Sequence, residues 1–538
     1  MAESRSGSAS GRRSNPKGRN RAAQGHEPRQ TRSQAAAGAS GNGEHTGHTS
    51  RPNRHRVNLQ RADPRRVAFE TTMRIDEQDG FSNLLLPKTL SAAQMSGSDA
   101  GFVTELVYGT QRWRGLLDAV VTAAAKRGRD DIDPGLLTVL RLGAYQTLFM
   151  DVPAHAAVGE TVELARRLYG RGRAGFVNAV MRRVSDRDRQ EWESLVVSRV
   201  PREQTAARLA VRYSHPEWIV NELDAAWRAA GYADDTDALP RMLASDNATP
   251  PVTLVARPGL IDMDELIDQL PKRSEYRKGL WSPYALRVHG VNPELLPAVH
   301  AGQVGVEDEG SQLAALALAH APMDADGNGD RPGDGDHGDG DRRWLDMCAG
   351  PGGKTALLGA LASGRGAVLT ANEPSHHRAE LVRRNVAGLA EGTVDEVLEC
   401  DGRQLGERFA STFDRILVDA PCSGLGSLRR RPEARWRKRP EDISSLAEIQ
   451  RGLLNSALDA VRPGGVVAYV TCSPALGETR RIVDAVISSR EDAERLDATA
   501  VLARINPDLP LPRTAGDVQL FSHLHDTDQM FISLLRRH

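Results

Sequence analysis

The sequence predicts a multidomain chain whose largest part is an α/β unit, a mostly parallel doubly wound sheet, preceded by an all-helical module and a small α+β linker domain. Three observations predict it. From Arg342 onward short apolar runs alternate with helical stretches, the pattern of a parallel sheet covered on both faces. From about Asp63 to Val184 apolar residues recur at spacings of three and four. Between about Glu203 and Ala301 helix and strand signals mix. The 538 residues leave room for about three or four domains.

The segments follow in chain order. Residues 1–60 carry eleven basic residues against Glu3, Glu27 and Glu44 in a stretch of Gly, Ser, Asn and Gln. Such a segment buries too little apolar surface to offset its ordering entropy, so a disordered basic tail is expected, either solubilising or weakly attracted to RNA. Residues 61–200 form the helical module, with Phe102-Val103-Leu106-Val107 and Leu136-Leu137-Leu140-Leu142 as its apolar faces and Pro153 as a break. Arg166, Arg167, Arg171, Arg173, Arg182 and Arg183 gather near the end of the next helix, as a solvated face or an RNA-facing surface. Residues 201–300 are expected to be a small α+β domain, an RNA-binding or linking unit, with a helix from near His215-Pro216-Glu217-Trp218 and a strand at 251–256.

Residues 301–538 make the α/β unit. Within it, residues 323–341 are acidic, Gly-rich and aperiodic, and are expected to be a disordered insertion in a surface loop. Asp324-x-Asp326-x-Asn328-Gly329 imitates a calcium loop, but the twelfth position is Gly335 and Pro332 intrudes, so calcium is set aside. The expected strands are Trp344-Leu345, Ala367-Val368-Leu369, 394–398, Ile416-Leu417-Val418, 466–470 and 530–535.

Charge and cysteine usage exclude several classes. The 70 Lys and Arg balance the 71 Asp and Glu, so whole-chain charge argues neither for nucleic acid nor for membrane. The start lacks a signal peptide's apolar core and no run of about 18 apolar residues follows, so a cytoplasmic protein without membrane contact is expected. The four cysteines, Cys348, Cys400, Cys422 and Cys472, form no C-x-x-C pair and have no His at metal spacing, so neither disulfide nor metal is expected.

The first strand runs into Asp346-Met347-Cys348-Ala349-Gly350-Pro351-Gly352-Gly353-Lys354-Thr355, a Gly-rich turn that lets backbone approach a ligand at a helix amino end. Gly353-Lys354-Thr355 also ends like a phosphate-cradling loop, and Arg415 to Asp419 imitates the magnesium-holding strand of a nucleotide triphosphatase. That loop needs Gly six residues before its Lys, where this chain has Cys348. Glu373, about 20 residues past the glycines at the second strand's end, fits a ribose-hydroxyl acceptor or a helix cap. Asp401, after the third strand, is placed to meet an adenine amine or simply to make a turn.

Asp419-Ala420-Pro421-Cys422-Ser423-Gly424-Leu425-Gly426 follows the fourth strand and Thr471-Cys472-Ser473-Pro474 ends the fifth. Ligands of an open parallel sheet sit outside the carboxyl ends of its strands, so both thiols should face one cleft. One chemistry needs such a pair. Carbon 5 of cytosine attacks a sulfonium methyl group only after a thiolate has added at carbon 6, and the carbon-5 proton must then leave before the thiol can. Asp419 is a candidate to neutralise charge on the ring nitrogen, and the base must leave its stack to reach these groups. Residue chemistry leaves open which thiol adds.

The segments DMCAGPGGKT, DAPCSGLG, VTCSP and the upstream VEDEGSQLAA resemble the motif set of RNA cytosine-C5 methyltransferases, and the chain is most similar to the bacterial small-subunit rRNA enzymes of the Sun/Fmu type. Gly143-Ala144-Tyr145-Gln146, Pro153-Ala154-His155-Ala156 and Phe176 to Arg182 resemble a NusB-like amino-terminal domain. The resemblance covers about residues 60–538. It implies a Rossmann-like class I methyltransferase domain, S-adenosyl-L-methionine as cofactor and RNA, 16S rRNA above all, as partner, for a protein acting as a monomer. It assigns the nucleophile to Cys472 and the release role to Cys422. The cofactor falls to Cys348, Ala349, Gly350, Pro351, Gly352, Gly353 and Lys354, with Glu373, Asp401 and Asp419. Gly350 stands where such loops commonly carry alanine. The basic run Arg429 to Arg439 around Trp436 is expected to touch RNA. A non-catalytic RNA-binding assembly factor is the alternative.

Overall fold

The computed structural model describes residues 62–77, 81–324 and 341–538, so the expected basic tail and most of the acidic insertion lie outside the described residues. The helical module runs from Pro64–Glu77 through Ser82–Ala92, Gly97–Arg112, Arg114–Ala125, Pro134–Phe149 and Ala154–Val184 to Arg189–Ser198. Its local rules are visible. Pro134 opens a helix whose Asp133 cap accepts the amides of Gly135 and Leu136, while Gly170, at φ 80°, kinks the longest helix. Leu106, Leu117, Val121, Leu140 and Val177 close its core.

The next helices are Thr205–Tyr213, Glu217–Ala229 and Ala238–Ser245. Ile219, Val220, Leu223, Met242 and Leu243 share a core with Leu425, Leu428 and Phe521. The small sheet consists of β1 (Val252–Ala256), β2 (Glu275–Lys278), β3 (Ala285–His289) and β4 (Val304–Val306), antiparallel in the order β2-β3-β1-β4. Its last strand pairs Val306 with Leu254, so the sheet reaches past the boundary expected at residue 300.

The large sheet comprises β5 (Arg343–Asp346), β6 (Val368–Asn372), β7 (Val394–Leu398), β8 (Phe413–Asp419), β9 (Val461–Thr471), β10 (Ala493–Leu496), β11 (Val518–Gln519) and β12 (Phe531–Arg537). Its order is β10-β12-β9-β8-β5-β6-β7, with β11 on β12. The strands β5 to β9 pair parallel, and β12 and β10 close one edge antiparallel. Strand order reverses between β5 and β8, which puts the crevice for a ligand at the carboxyl ends of these two strands. Leu345, Ile416, Val418, Val467 and Tyr469 are buried on one face, and Trp344, Leu417, Val466 and Ala468 on the other.

The acidic insertion is shorter than 323–341. Asp341 is only 4% exposed, accepting from Trp344 Nε1 at 2.6 Å and Arg415 Nε at 2.9 Å, and Asp324 pairs with Arg536. Arg415 is itself buried between β5 and the helix Glu309–His320, so this carboxylate is structural.

Candidate active site

The loop after β5 brings backbone to the crevice. Gly352, at φ +112°, turns the chain into the helix Gly353–Ser363, and a Cβ there would lie 2.9 Å from Val382 Cα. Thr355 Oγ1 donates to Asp346 Oδ2 at 2.7 Å, tying that helix to the end of β5. Asp346 is buried, and burial pushes its carboxyl up to about 7. Gly350 has a specific reason. A methyl group at this position would lie 2.2 Å from Glu373 Oε2, so the glycine lets that carboxylate lie against the loop. Glu373 itself is 2% exposed, accepts the Ser375 amide at 3.0 Å and sits 3.3 Å from Arg378.

Lys354 turns away from a phosphate-cradling role. Its Nζ lies 3.0 Å from Asp419 Oδ2 and 3.2 Å from Ser311 Oγ. Burial alone would lower this ammonium, but the carboxylates of Asp419 and Glu307 hold it above its ordinary value. Glu307, from the segment VEDEGSQLAA, has neither oxygen hydrogen-bonded, and burial pushes its carboxyl up to about 7 despite Lys354. Asp401 stands apart, more exposed, held by Arg403 at 2.6 Å below the usual carboxylate range.

The two strand-end thiols meet. Cys422, three residues past β8, and Cys472, one past β9, lie with their sulfurs 3.4 Å apart. Glu478 sets this spacing. Its buried carboxylate accepts the Ser423 amide at 2.7 Å, the Ser423 hydroxyl at 2.5 Å and the Ser473 hydroxyl at 2.6 Å, binding both cysteine loops to one group. Gly426 closes the gap from the other side. Its amide donates to Cys472 O at 2.9 Å, and a Cβ there would fall 2.1 Å from Gln529 O. The thiols differ electrostatically. The hydrogen bond from Cys422, with the cations Lys354 and Arg431 nearby, holds the Cys472 thiol below its ordinary value despite burial. The same hydrogen bond, burial and the carboxylates of Glu478 and Asp419 push the Cys422 thiol well up. Of the two, Cys472 is the thiol that gives up its proton more readily.

The other cysteines serve elsewhere. Cys400 Sγ contacts Asn372 Oδ1 at 3.2 Å, and burial pushes the Cys348 thiol well up. All four thiols are free, and no cluster of three metal-ligating side chains occurs among the described residues.

The basic run after Cys422 is mostly structural, contrary to the expectation of RNA contact. Arg435 is fully buried, donating to Ser214 O and Asn247 Oδ1 at 3.0 and 2.8 Å. Arg429 is buried against Asp526, Arg430 forks between Asp308 and Asp528, and Trp436 Nε1 donates to Gln111 O at 2.9 Å. Of this run only Arg431 and Arg439 are exposed. Cations this deep survive only with partners, and those partners lie far away in the chain.

This geometry has known counterparts. Residues 336–536 match the family model of the 16S rRNA methyltransferases RsmB/F, and residues 62–186 match the NusB family. A putative methyltransferase of Mycobacterium tuberculosis is 45% identical over 88% of this chain and 96% of its own length. The chain belongs to the RsmB/F methyltransferase family. A probable ribosomal RNA small subunit methyltransferase B of Bacillus subtilis is 30% identical over 89% of this chain and all of its own length. The crystal structure of PH0851 shares the fold, with a TM-score of 0.68 at 20% identity over 88% of this chain and 99% of that one. The methyl donor of this family member is S-adenosylmethionine. The residues present fit it: a Gly-rich turn at a helix amino end, a buried carboxylate at the end of β6 and the Lys354–Asp419 ion pair beside the switch point.

Glu478, Glu307, Ser311 and Gln450, whose Nε2 donates to Pro421 O at 2.8 Å, escaped the sequence reading as site residues. Only Glu307 and Ser311 carried a signal, lying inside a segment already singled out by resemblance.

Proposed function

We propose that this methyltransferase modifies carbon 5 of a cytosine in RNA, 16S ribosomal RNA in particular, through a covalent bond between Cys472 and cytosine carbon 6. The observation that carries this reading is the 3.4 Å pair of thiols in which Cys472 is the more acidic. A single thiol would suffice for addition alone. The names of the relatives support ribosomal RNA as the substrate.

The residues have distinct tasks. The Cys472 thiolate adds to carbon 6, and the electron pair of the 5,6 double bond moves onto carbon 5 with charge shared by the ring nitrogen. Asp419 in its acid form would give its proton to the ring nitrogen as that charge develops, leaving a carboxylate that Lys354, at 3.0 Å, compensates. Cys348 to Lys354, with Glu373, Asp401 and Asp419, would hold S-adenosylmethionine, which would supply the methyl group to carbon 5 and leave as S-adenosylhomocysteine. Carbon 5 then loses its proton to a base, the carbon–sulfur bond breaks and Cys472 leaves as thiolate. Cys422 is the group within reach to assist this release.

The test uses transcribed 16S rRNA with the cofactor. Cys422→Ala accumulates a protein–RNA adduct stable to denaturing electrophoresis, and Cys472→Ala neither transfers methyl nor forms an adduct. Methyl transfer by Cys472→Ala would falsify the assignment. Wild-type protein that binds the RNA and transfers nothing would favour an assembly factor instead.

A further inference from the structure

Between the edge strand β4 and the end of the helix His376–Val386 lies a cavity of about 350 Å³ that methyl transfer does not use. Its walls include Arg257, His300, Arg384 and Asn385, and no Asp or Glu lines it. Arg257 is 2% exposed. Its Nη1 donates to Gly302 O at 2.5 Å and Asn385 O at 2.8 Å, while its buried Nε has no hydrogen-bond partner. Arg384 and His300 are exposed at the rim, and neither pairs with a carboxylate among the described residues.

The walls are rigid. A Cβ on Gly388 would fall 2.5 Å from Ala301 O, and one on Gly302 would fall 2.8 Å from Gly388 Cα, so backbone touches backbone there. A Cβ at Gly305 would come 3.3 Å from Arg257 Nη2, so this glycine leaves the guanidinium its room. Asn385 joins the cavity to the cofactor loop by donating to Pro351 O at 2.8 Å. A concavity walled by two guanidinium groups and an imidazole, with Glu307, the carboxylate that acts on Arg257, outside its lining, favours an anion of two or more acceptor oxygens. Because the rim is open and solvent-exposed at His300, Arg384 and Ala387, the anion can be an internal group of a polymer.

We infer that this cavity holds a backbone phosphate of the RNA, fixing the strand beside the cofactor loop. The inference rests on the RNA substrate proposed above. Phosphate contacts position a strand without reading its sequence, so the cavity sets register and the thiol cleft does the chemistry.

The experiment takes full-length wild type, Arg384→Ala and Ala387→Glu, none of them changes to the thiol or cofactor residues. It measures binding of transcribed 16S rRNA from about 50 to 200 mM salt, with S-adenosylmethionine binding as the control for folding. Arg384→Ala is expected to bind severalfold more weakly, with the slope of log affinity against log salt reduced by about 1, and Ala387→Glu to weaken binding by repulsion. Cofactor affinity stays unchanged in both. Unchanged RNA affinity and slope in both variants, with wild type binding normally, overturns the inference and leaves methyl transfer standing. Wild-type protein that fails to bind the RNA overturns both readings. Saturable binding of inorganic phosphate that Arg384→Ala abolishes while RNA binding is unchanged assigns the cavity to free phosphate, which also overturns it.

Discussion

Glu433 accepts both the backbone amide and the hydroxyl of Ser82, at 3.0 and 2.8 Å, across 351 residues of chain. Both ends of this contact are buried, so the segment between the two thiol loops is fastened to the amino-terminal helices. The helical module is thus held by the same stretch of chain that begins at Cys422.

Glu433→Ala leaves two buried donors without their acceptor and is expected to cost about 2–4 kcal/mol. Urea unfolding followed by tryptophan fluorescence checks it, and an unchanged midpoint would show that the contact adds nothing.

Glu478→Gln keeps the size of the side chain but removes one acceptor oxygen from the Ser423 and Ser473 network. Misplacing the thiols by a fraction of an ångström should lower kcat about 100-fold while the cofactor Kd stays put. Steady-state kinetics with the cofactor titrated separately distinguishes this from unfolding, which would move both.

The thiol pair should titrate unequally. Cys472, held low by the Cys422 hydrogen bond, reacts with iodoacetamide below the ordinary thiol range, whereas Cys422 needs higher pH. Cys422→Ala removes the donor, so the pH midpoint for labelling Cys472 rises. Mass spectrometry of the modified peptides reads both values, and equal midpoints would refute the asymmetry.

Glu307 and Asp346 both have carboxyls pushed up to about 7 by burial. The folded state therefore binds protons that the unfolded chain, with carboxyls near 4, releases. Their contribution is full below about pH 4 and is lost as pH rises through about 7. Glu307→Gln, which cannot ionise, should recover on the order of 1–3 kcal/mol at pH 8 and little at pH 4. Thermal unfolding of both proteins across that range supplies the comparison.

Much of this fold was written locally. Residues 394–398 formed a strand as their run implied, and the Gly-rich turn after β5 reads directly as backbone that must approach a ligand. Charged side chains were harder. Nothing near Arg430 in sequence reveals that Asp308 and Asp528 will meet it, so a half-buried fork looked like an RNA-facing surface. Glu478 was invisible for a related reason, since its importance lies in Ser423, 55 residues away. Cys422 and Cys472 were legible as a pair because strand ends in a parallel sheet converge, while their electrostatic difference depends on Lys354 and Arg431, which only the folded chain brings near.

The chain leaves the described fold at Asp324 and returns at Asp341, and both ends are anchored, to Arg536 and to Arg415 and Trp344. The return point precedes β5, at the amino end of the strands, whereas the thiols lie past their carboxyl ends. The length of the strands therefore separates Asp324 and Asp341 from the chemistry. Residues 325–340 offer a place to splice in an affinity tag or a fluorophore, and a labelled protein made this way should keep its full turnover.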